Sequence, residues 1–386
     1  MESSIVVDEV KPRSHARRIP ELDGFRAIAI LGVMLGHLLV FTPLLRHQPN
    51  GLPRMLATVI NHGWLGVDLF FLLSGFLITS ILVGTKHLGA RRYFGGFYLR
   101  RALRIWPLYF LMVAIMLVAY ARYTGVTYFI YSVFFVANLA APLHVPVPNG
   151  GGPLWSLAVE EQFYLIWPVL VLFLERRVLV AILIAIAVVE PIVRLFPVGT
   201  LETTWERCDG LALGALLALW FTSALHNPRN DKRLALAFVG VAVVVTAADA
   251  VLAHVLPGHE AGVSLRIPQV LCICAAVMTL ALSRSGAPAF AALRLPFLIV
   301  TADFSYCLYL IHVPLTDAYD TYASRVAPAI AHLGALQANV LRCAVVFVVA
   351  YALAAFSRRY VELPFLNLGR RDRMPRRARP EPASAS

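Results

Sequence analysis

Apolar runs of spanning length, separated by short loops in which the basic residues cluster, constrain this chain more than any other feature. Ten such runs lie at about 27–45, 64–83, 105–121, 155–174, 178–196, 208–224, 234–253, 267–282, 297–315 and 340–357. Crossing the hydrocarbon layer as a helix takes about 20 apolar residues. In lipid the backbone polar groups must be satisfied within the spanning structure, which leaves helices as its form for runs of this length. The expectation is therefore an all-α polytopic membrane protein with about ten transmembrane helices. Composition agrees, with 59% apolar and 15% charged residues against roughly 45–50% and 25% in soluble domains.

Basic clusters fall at Lys11–Arg26, Lys86–Arg104, Arg176–Arg177, Arg229–Arg233, Arg284–Arg294 and Arg358–Arg379. An eleventh apolar run, Tyr128–Ala141, is short. Ten crossings, with 128–141 not crossing, put all six clusters on one face, and the positive-inside rule makes that face cytoplasmic. Both termini are then expected in the cytoplasm, and the protein in a bacterial plasma membrane. The 128–141 stretch, followed by Pro142, Pro146, Pro148 and Gly150–Pro153, reads as a re-entrant or interfacial piece on the outer side. The net charge of +12 is thus topology information before it is a nucleic-acid signal, and no zinc-finger spacing accompanies it. Three regions follow: a polar tail 1–20, a membrane domain 21–366 and a basic tail 367–386. No small-residue cleavage pattern follows the first apolar run. The five cysteines lie mostly inside apolar runs, which fits packing roles.

Ionisable residues inside such runs are costly and mark chemistry or transport. Glu160 and Glu161 are adjacent near the start of the 155–174 run, and Asp68 lies one turn into the 64–83 run. His37 follows Arg26 by eleven residues, about 16 Å along a helix. A buried histidine beside a carboxylate is a general base suited to neutral pH, and His312 lies at a similar expected depth. At the other face, Arg100, Arg101 and Arg104, with Arg26 near, form a set able to grip a polyanion through paired hydrogen bonds. The blander alternatives are an interhelical hydrogen bond for His37, a helix-start carboxylate for Asp68, and membrane anchoring for the arginines. No pair of residues shows metal-ligand spacing such as HExxH, so no metal is expected.

Six segments carry a resemblance: Glu21–Arg26 through His37, Gly66–Thr79, Phe97–Pro107, Trp155–Tyr164, Ser305–His312 and Glu362–Pro364. In this order they resemble the signatures of the acyltransferase-3 family of integral membrane O-acyltransferases. The resemblance implies transfer of an acyl group, commonly acetyl, from acyl-CoA to a hydroxyl of a glycan, lipid-linked sugar or small natural product. It matches the family's arginine–histidine pair to Arg26 and His37, its loop arginines to Arg101 and Arg104, and its carboxylates to Asp68, Glu160 and Glu161. Some members carry a fused esterase-like domain, and after Pro364 only a basic stretch remains here. A stand-alone domain of this kind also resembles enzymes that acylate macrolide hydroxyls.

The mechanism expected from both readings places the nucleotide end of acyl-CoA on Arg26, Arg101 and Arg104. The thioester then reaches His37, which acts as general base, oriented by Asp68 or a glutamate of the pair. A ping-pong route through an acylated His37 is the variant. The donor is a co-substrate, no cofactor is held permanently, and membrane lipids surround the whole. The rival class is a transporter or proton-coupled carrier using the same His/carboxylate set.

Overall fold

The computed structural model describes residues 19–39, Thr58, 60–196, 201–255, 261–328 and 332–371. Most of both expected tails, and the end of the first expected span at 40–45, lie outside these residues. The described residues form helices and connecting turns without a strand. We number the principal helices α1 (Pro20–Leu39), α2 (Gly66–Thr85), α3 (Ala90–Thr124), α4 (Thr127–Val133), α5 (Leu154–Phe173) and α6 (Arg176–Val193). They continue as α7 (Asp209–Phe221), α8 (Pro228–Val255), α9 (Ala261–Ser283), α10 (Pro296–Val326), α11 (Ala335–Ser357) and α12 (Leu363–Arg371).

Each of the ten apolar runs contains a helix. Eight of the helices are long and apolar enough to cross a membrane: α1, α2, α3, α5, α8, α9, α10 and α11. The protein is thus an all-α, multi-pass membrane protein. The remaining two expected spans are α6, whose 18 residues include Arg176, Arg177 and Glu190, and α7, whose 13 residues extend only about 20 Å.

Between α3 and α5 the chain does not form a spanning helix. α4 has seven residues, and single helical turns follow at Ala137–Leu139 and Asn149–Gly151. Side chains from neighbouring helices and from the segment itself satisfy this irregular backbone, as hydrocarbon surroundings require. Tyr109 donates to the Ser132 carbonyl at 2.9 Å, Gln162 donates to that of Phe135 at 2.9 Å, and Tyr128 reaches the Gly151 carbonyl at 2.5 Å.

Glycines set the closest helix contacts. A Cβ on Gly75 of α2 would lie 2.0 Å from the Leu211 carbonyl oxygen of α7, and one on Gly214 would lie 2.0 Å from that of Leu72. α2 and α7 therefore touch backbone to backbone, as small residues allow between membrane helices. On the other side, Gly63 abuts Gly32 and Gly66 abuts Ala29, so α1 and α2 run antiparallel with residues 29–36 level with 63–66. This register fixes the height of everything α1 carries.

Candidate active site

α1 is unbroken from Pro20 to Leu39, so Arg26 and His37 stand about 16 Å apart along one rod. Eleven steps of about 100° bring the chain round to within about 20° of its starting direction, so both side chains leave the same face. At the Arg26 end, an open cavity of ≈ 800 Å³ lies between α1, α2, α3, α5 and α10. Arg26, Arg101 and Arg104 line it together with Ser74, Glu160, Tyr164, Tyr306 and Tyr309. Arg101 and Arg104 are three residues apart on α3, which puts them on one helix face. Three guanidiniums against the one carboxylate of Glu160 leave the cavity cationic.

Glu160 organises the anionic corner. Ser74 donates to its Oε1 at 2.6 Å and Tyr164, one turn further along α5, donates to its Oε2 at 3.2 Å. The Arg101 guanidinium lies over the Tyr164 ring, 5.4 Å from its centroid. Arg26 also keeps a 3.4 Å contact between its Nη1 and Oδ1 of Asp23, three residues earlier in α1. Glu161 does not line the cavity. It accepts a 3.4 Å hydrogen bond from the Trp106 indole, and its Oε1 is buried without a hydrogen-bond partner. Arg100 does not line the cavity either, its guanidinium passing beside Gly96 of its own helix.

Asp68 lies elsewhere. It is fully buried and pairs with Arg207 at 3.1 Å, in the segment just before α7. The Arg207 guanidinium in turn packs over the rings of Trp155 and Trp64, at 5.2 and 5.9 Å. The α1–α2 register explains why Asp68 does not orient His37. Gly36 is level with Gly63 and Ala29 with Gly66, so Asp68, two residues past Gly66, sits about 9–15 Å further toward the Arg26 end than His37. Among the described residues no carboxylate meets His37. Its Nδ1 lies 2.9 Å from the Val33 carbonyl, and its ring meets that of His312 edge-on at a centroid distance of 5.0 Å. A carbonyl only accepts, so Nδ1 carries the proton and Nε2 keeps its lone pair free to act as a base.

The structure thus brings together Arg26, Arg101, Arg104 and Glu160, and sets His37, Asp68, Glu161 and Arg100 apart from them. The family model of the acyltransferase domain matches residues 19–358. The chain belongs to the acyltransferase-3 family. Its relatives include YrhL of Bacillus subtilis (strain 168), 32% identical over 246 residues, which are 57% of this chain and 36% of YrhL. The peptidoglycan O-acetyltransferase OatA of Listeria monocytogenes is 30% identical over 174 residues, 42% of this chain and 25% of OatA. The O-acetyltransferase OatA of Staphylococcus aureus (strain NCTC 8325) is 31% identical over 173 residues, 42% of this chain and 26% of that protein. The chain therefore spans about a quarter to a third of these relatives. No solved structure matches it.

In this acyltransferase-3 member, several residues that shape the cavity or hold Asp68 carry no distinctive motif spacing of their own. Tyr164 had a legible signal, standing one turn after Glu160 on the same face. Ser74 sits in an apolar run, where a lone serine more often bonds its own helix backbone. Arg207 is close in sequence to Glu206 and Asp209, which suggests local pairing rather than the distant Asp68.

Proposed function

We propose that the protein is a membrane O-acyltransferase that takes an acyl group from acyl-CoA, with acetyl the first donor to test, and places it on a hydroxyl of a sugar or natural product. One observation carries this reading: three guanidiniums from two helices converge on one cavity, and the first of them shares a helix face with a histidine whose Nε2 lone pair is free. The arginines are suited to the phosphates of the nucleotide, which they can hold through paired, charge-assisted hydrogen bonds. A long thin pantetheine arm then spans the ~16 Å along α1 to His37.

At His37 the acceptor hydroxyl gives its proton to Nε2 while its oxygen attacks the thioester carbonyl. Sugar hydroxyls are poor nucleophiles at neutral pH, so this base supplies much of the acceleration, about 10²–10⁴-fold in typical cases. Thiolate is a good leaving group and needs less assistance. Asp68 and Glu160 act in this reading through arginines, Asp68 by holding Arg207 and Glu160 by spacing the guanidiniums of the cavity. The names of the relatives make peptidoglycan hydroxyls the first acceptor class, with macrolide hydroxyls the second. The basic loops place the arginine end toward the cytoplasm, where acyl-CoA is made, in a bacterial plasma membrane.

The test is purified protein in liposomes with labelled acetyl-CoA and soluble peptidoglycan fragments or a macrolide as acceptor. CoA thiol release coupled to labelled product is expected, and a carrier would instead move an unmodified solute. His37→Ala should abolish transfer while donor binding persists. Full turnover by that variant refutes the base assignment.

A further inference from the structure

A general base that becomes charged in a low-dielectric interior needs a group to support the charge, and carboxylates usually provide it. Here Asp68 is committed to Arg207, and Glu160 to Ser74, Tyr164 and the arginine cavity. What does stand against His37 is the ring of His312, edge-on at 5.0 Å between centroids. His312 is 1% exposed, and its Nδ1 lies 2.7 Å from the Tyr309 carbonyl of its own helix α10. That carbonyl can only accept, so Nδ1 bears the proton and Nε2 is the lone-pair nitrogen. This Nε2 is buried and has no hydrogen-bond partner among the described residues. Buried acceptors are rarely left so, and an orphaned one in a site calls for an explanation.

We propose that His312 is the proton-sharing partner of His37, a neutral imidazole beside the base, where other base arrangements set a carboxylate on the second ring nitrogen, which here bonds the Val33 carbonyl. The inference rests on the reading of His37 as base. In the resting state both rings are neutral, and each keeps its Nδ1–H on its own helix carbonyl. When the acceptor oxygen bonds to the thioester carbon, its proton moves to His37 Nε2. The resulting imidazolium N–H is shared between the oxygen it came from and the His312 Nε2 lone pair. The carbon–sulfur bond breaks, and the same proton leaves with the thiolate as CoA thiol, returning both rings to neutrality. No further reactant is required. Because His312 supports a charge that exists only during reaction, its loss falls on kcat and not on donor binding.

The experiment is His312→Ala in the full chain in liposomes, with acetyl-CoA as donor and soluble peptidoglycan fragments as acceptor. A kcat reduced by about tenfold to a hundredfold is expected, smaller than the loss in His37→Ala. The KM for acetyl-CoA should stay within about twofold, which also reports a folded arginine cavity. Added imidazole should restore turnover by entering the vacated space. Pyrrole, which has the same shape and an N–H but no free lone pair, should not. His312→Asn, whose amide oxygen can accept, should retain more activity than His312→Leu. Wild-type kcat in His312→Ala, equal rescue by pyrrole, or no rescue by imidazole overturns the proposal while leaving the function itself standing. Absence of CoA release by the wild-type protein, or full turnover by His37→Ala, overturns both.

Discussion

Arg101 offers a sharp test of how the cavity is used. Its guanidinium is braced over Tyr164 and lines the same cavity as Arg26 and Arg104. A hydrogen bond to a charged partner contributes about 1.5–3 kcal/mol, and about 1.4 kcal/mol is a factor of ten in binding. Arg101→Ala should therefore raise the KM for acetyl-CoA by about 10- to 150-fold, with a smaller effect on kcat. The decisive control is a truncated donor, S-acetylpantetheine, which keeps the thioester and arm but lacks the nucleotide phosphates. It should bind the wild-type protein weakly and should be almost indifferent to Arg101→Ala. Arg101→Lys should fall between, because an ammonium keeps the charge but loses the planar fork. Steady-state kinetics of both donors across these variants provides the assay. An equal loss with the full and truncated donors would refute the reasoning, since the arginine would then be acting on the fold or on the thioester end.

Other predictions follow from the same packing. Asp68→Asn and Arg207→Met each leave a buried charge without its partner, their side chains being 0% and 3% exposed, and should each cost about 3–5 kcal/mol. The double variant should cost much less than the sum, as read by thermal unfolding in one lipid mixture, and additive losses would show that the pair is uncoupled. Ser74→Ala removes a 2.6 Å donor to Glu160, an effect of about 1 kcal/mol that should raise donor KM several-fold. Gly214→Ala places a methyl group 2.0 Å from the Leu72 carbonyl, so α2 and α7 must part, and the yield of folded protein in detergent should drop steeply.

The spans were legible because lipid imposes a simple rule on length and polarity, and each of the ten apolar runs contains a helix. Their ends were less so. α3 begins at Ala90, fifteen residues before the apolar run expected at 105, because Arg91, Arg92, Arg100 and Arg101 suit a helix that has left the hydrocarbon. Hydropathy registers the medium and not the helix. The non-crossing stretch after α3 was legible from charge alone, since a crossing there would have split the basic loops between two faces. Within the site, the pairing of Arg101 with Arg104 and the height of His37 above Arg26 could be counted along single helices. Pairings between elements could not: Asp68 with Arg207, Glu160 with Ser74 and His37 with His312 join distant parts of the chain. Depth can be counted along one helix, but azimuth between two helices depends on packing that glycine contacts such as Gly63 on Gly32 decide.

Those contacts also explain why the two halves of the site are kept apart. The α1–α2 register puts Asp68 nearer to the level of Arg26 than to that of His37, so a carboxylate there could not serve the imidazole without drawing α2 along its neighbour. Sliding α2 would in turn break its glycine contacts with α7, where the backbones already touch. The arginine end can therefore hold several charges, with Glu160 among them, without placing a carboxylate against His37, the proposed base. A carboxylate beside His37 would favour its protonated form before substrate arrives. A neutral neighbour such as His312 leaves the lone pair available and meets the proton only when one is transferred. On this view the distance between the two ends is a working dimension of the protein, suited to the proposed acyl-CoA donor, whose charged and reactive ends are themselves far apart.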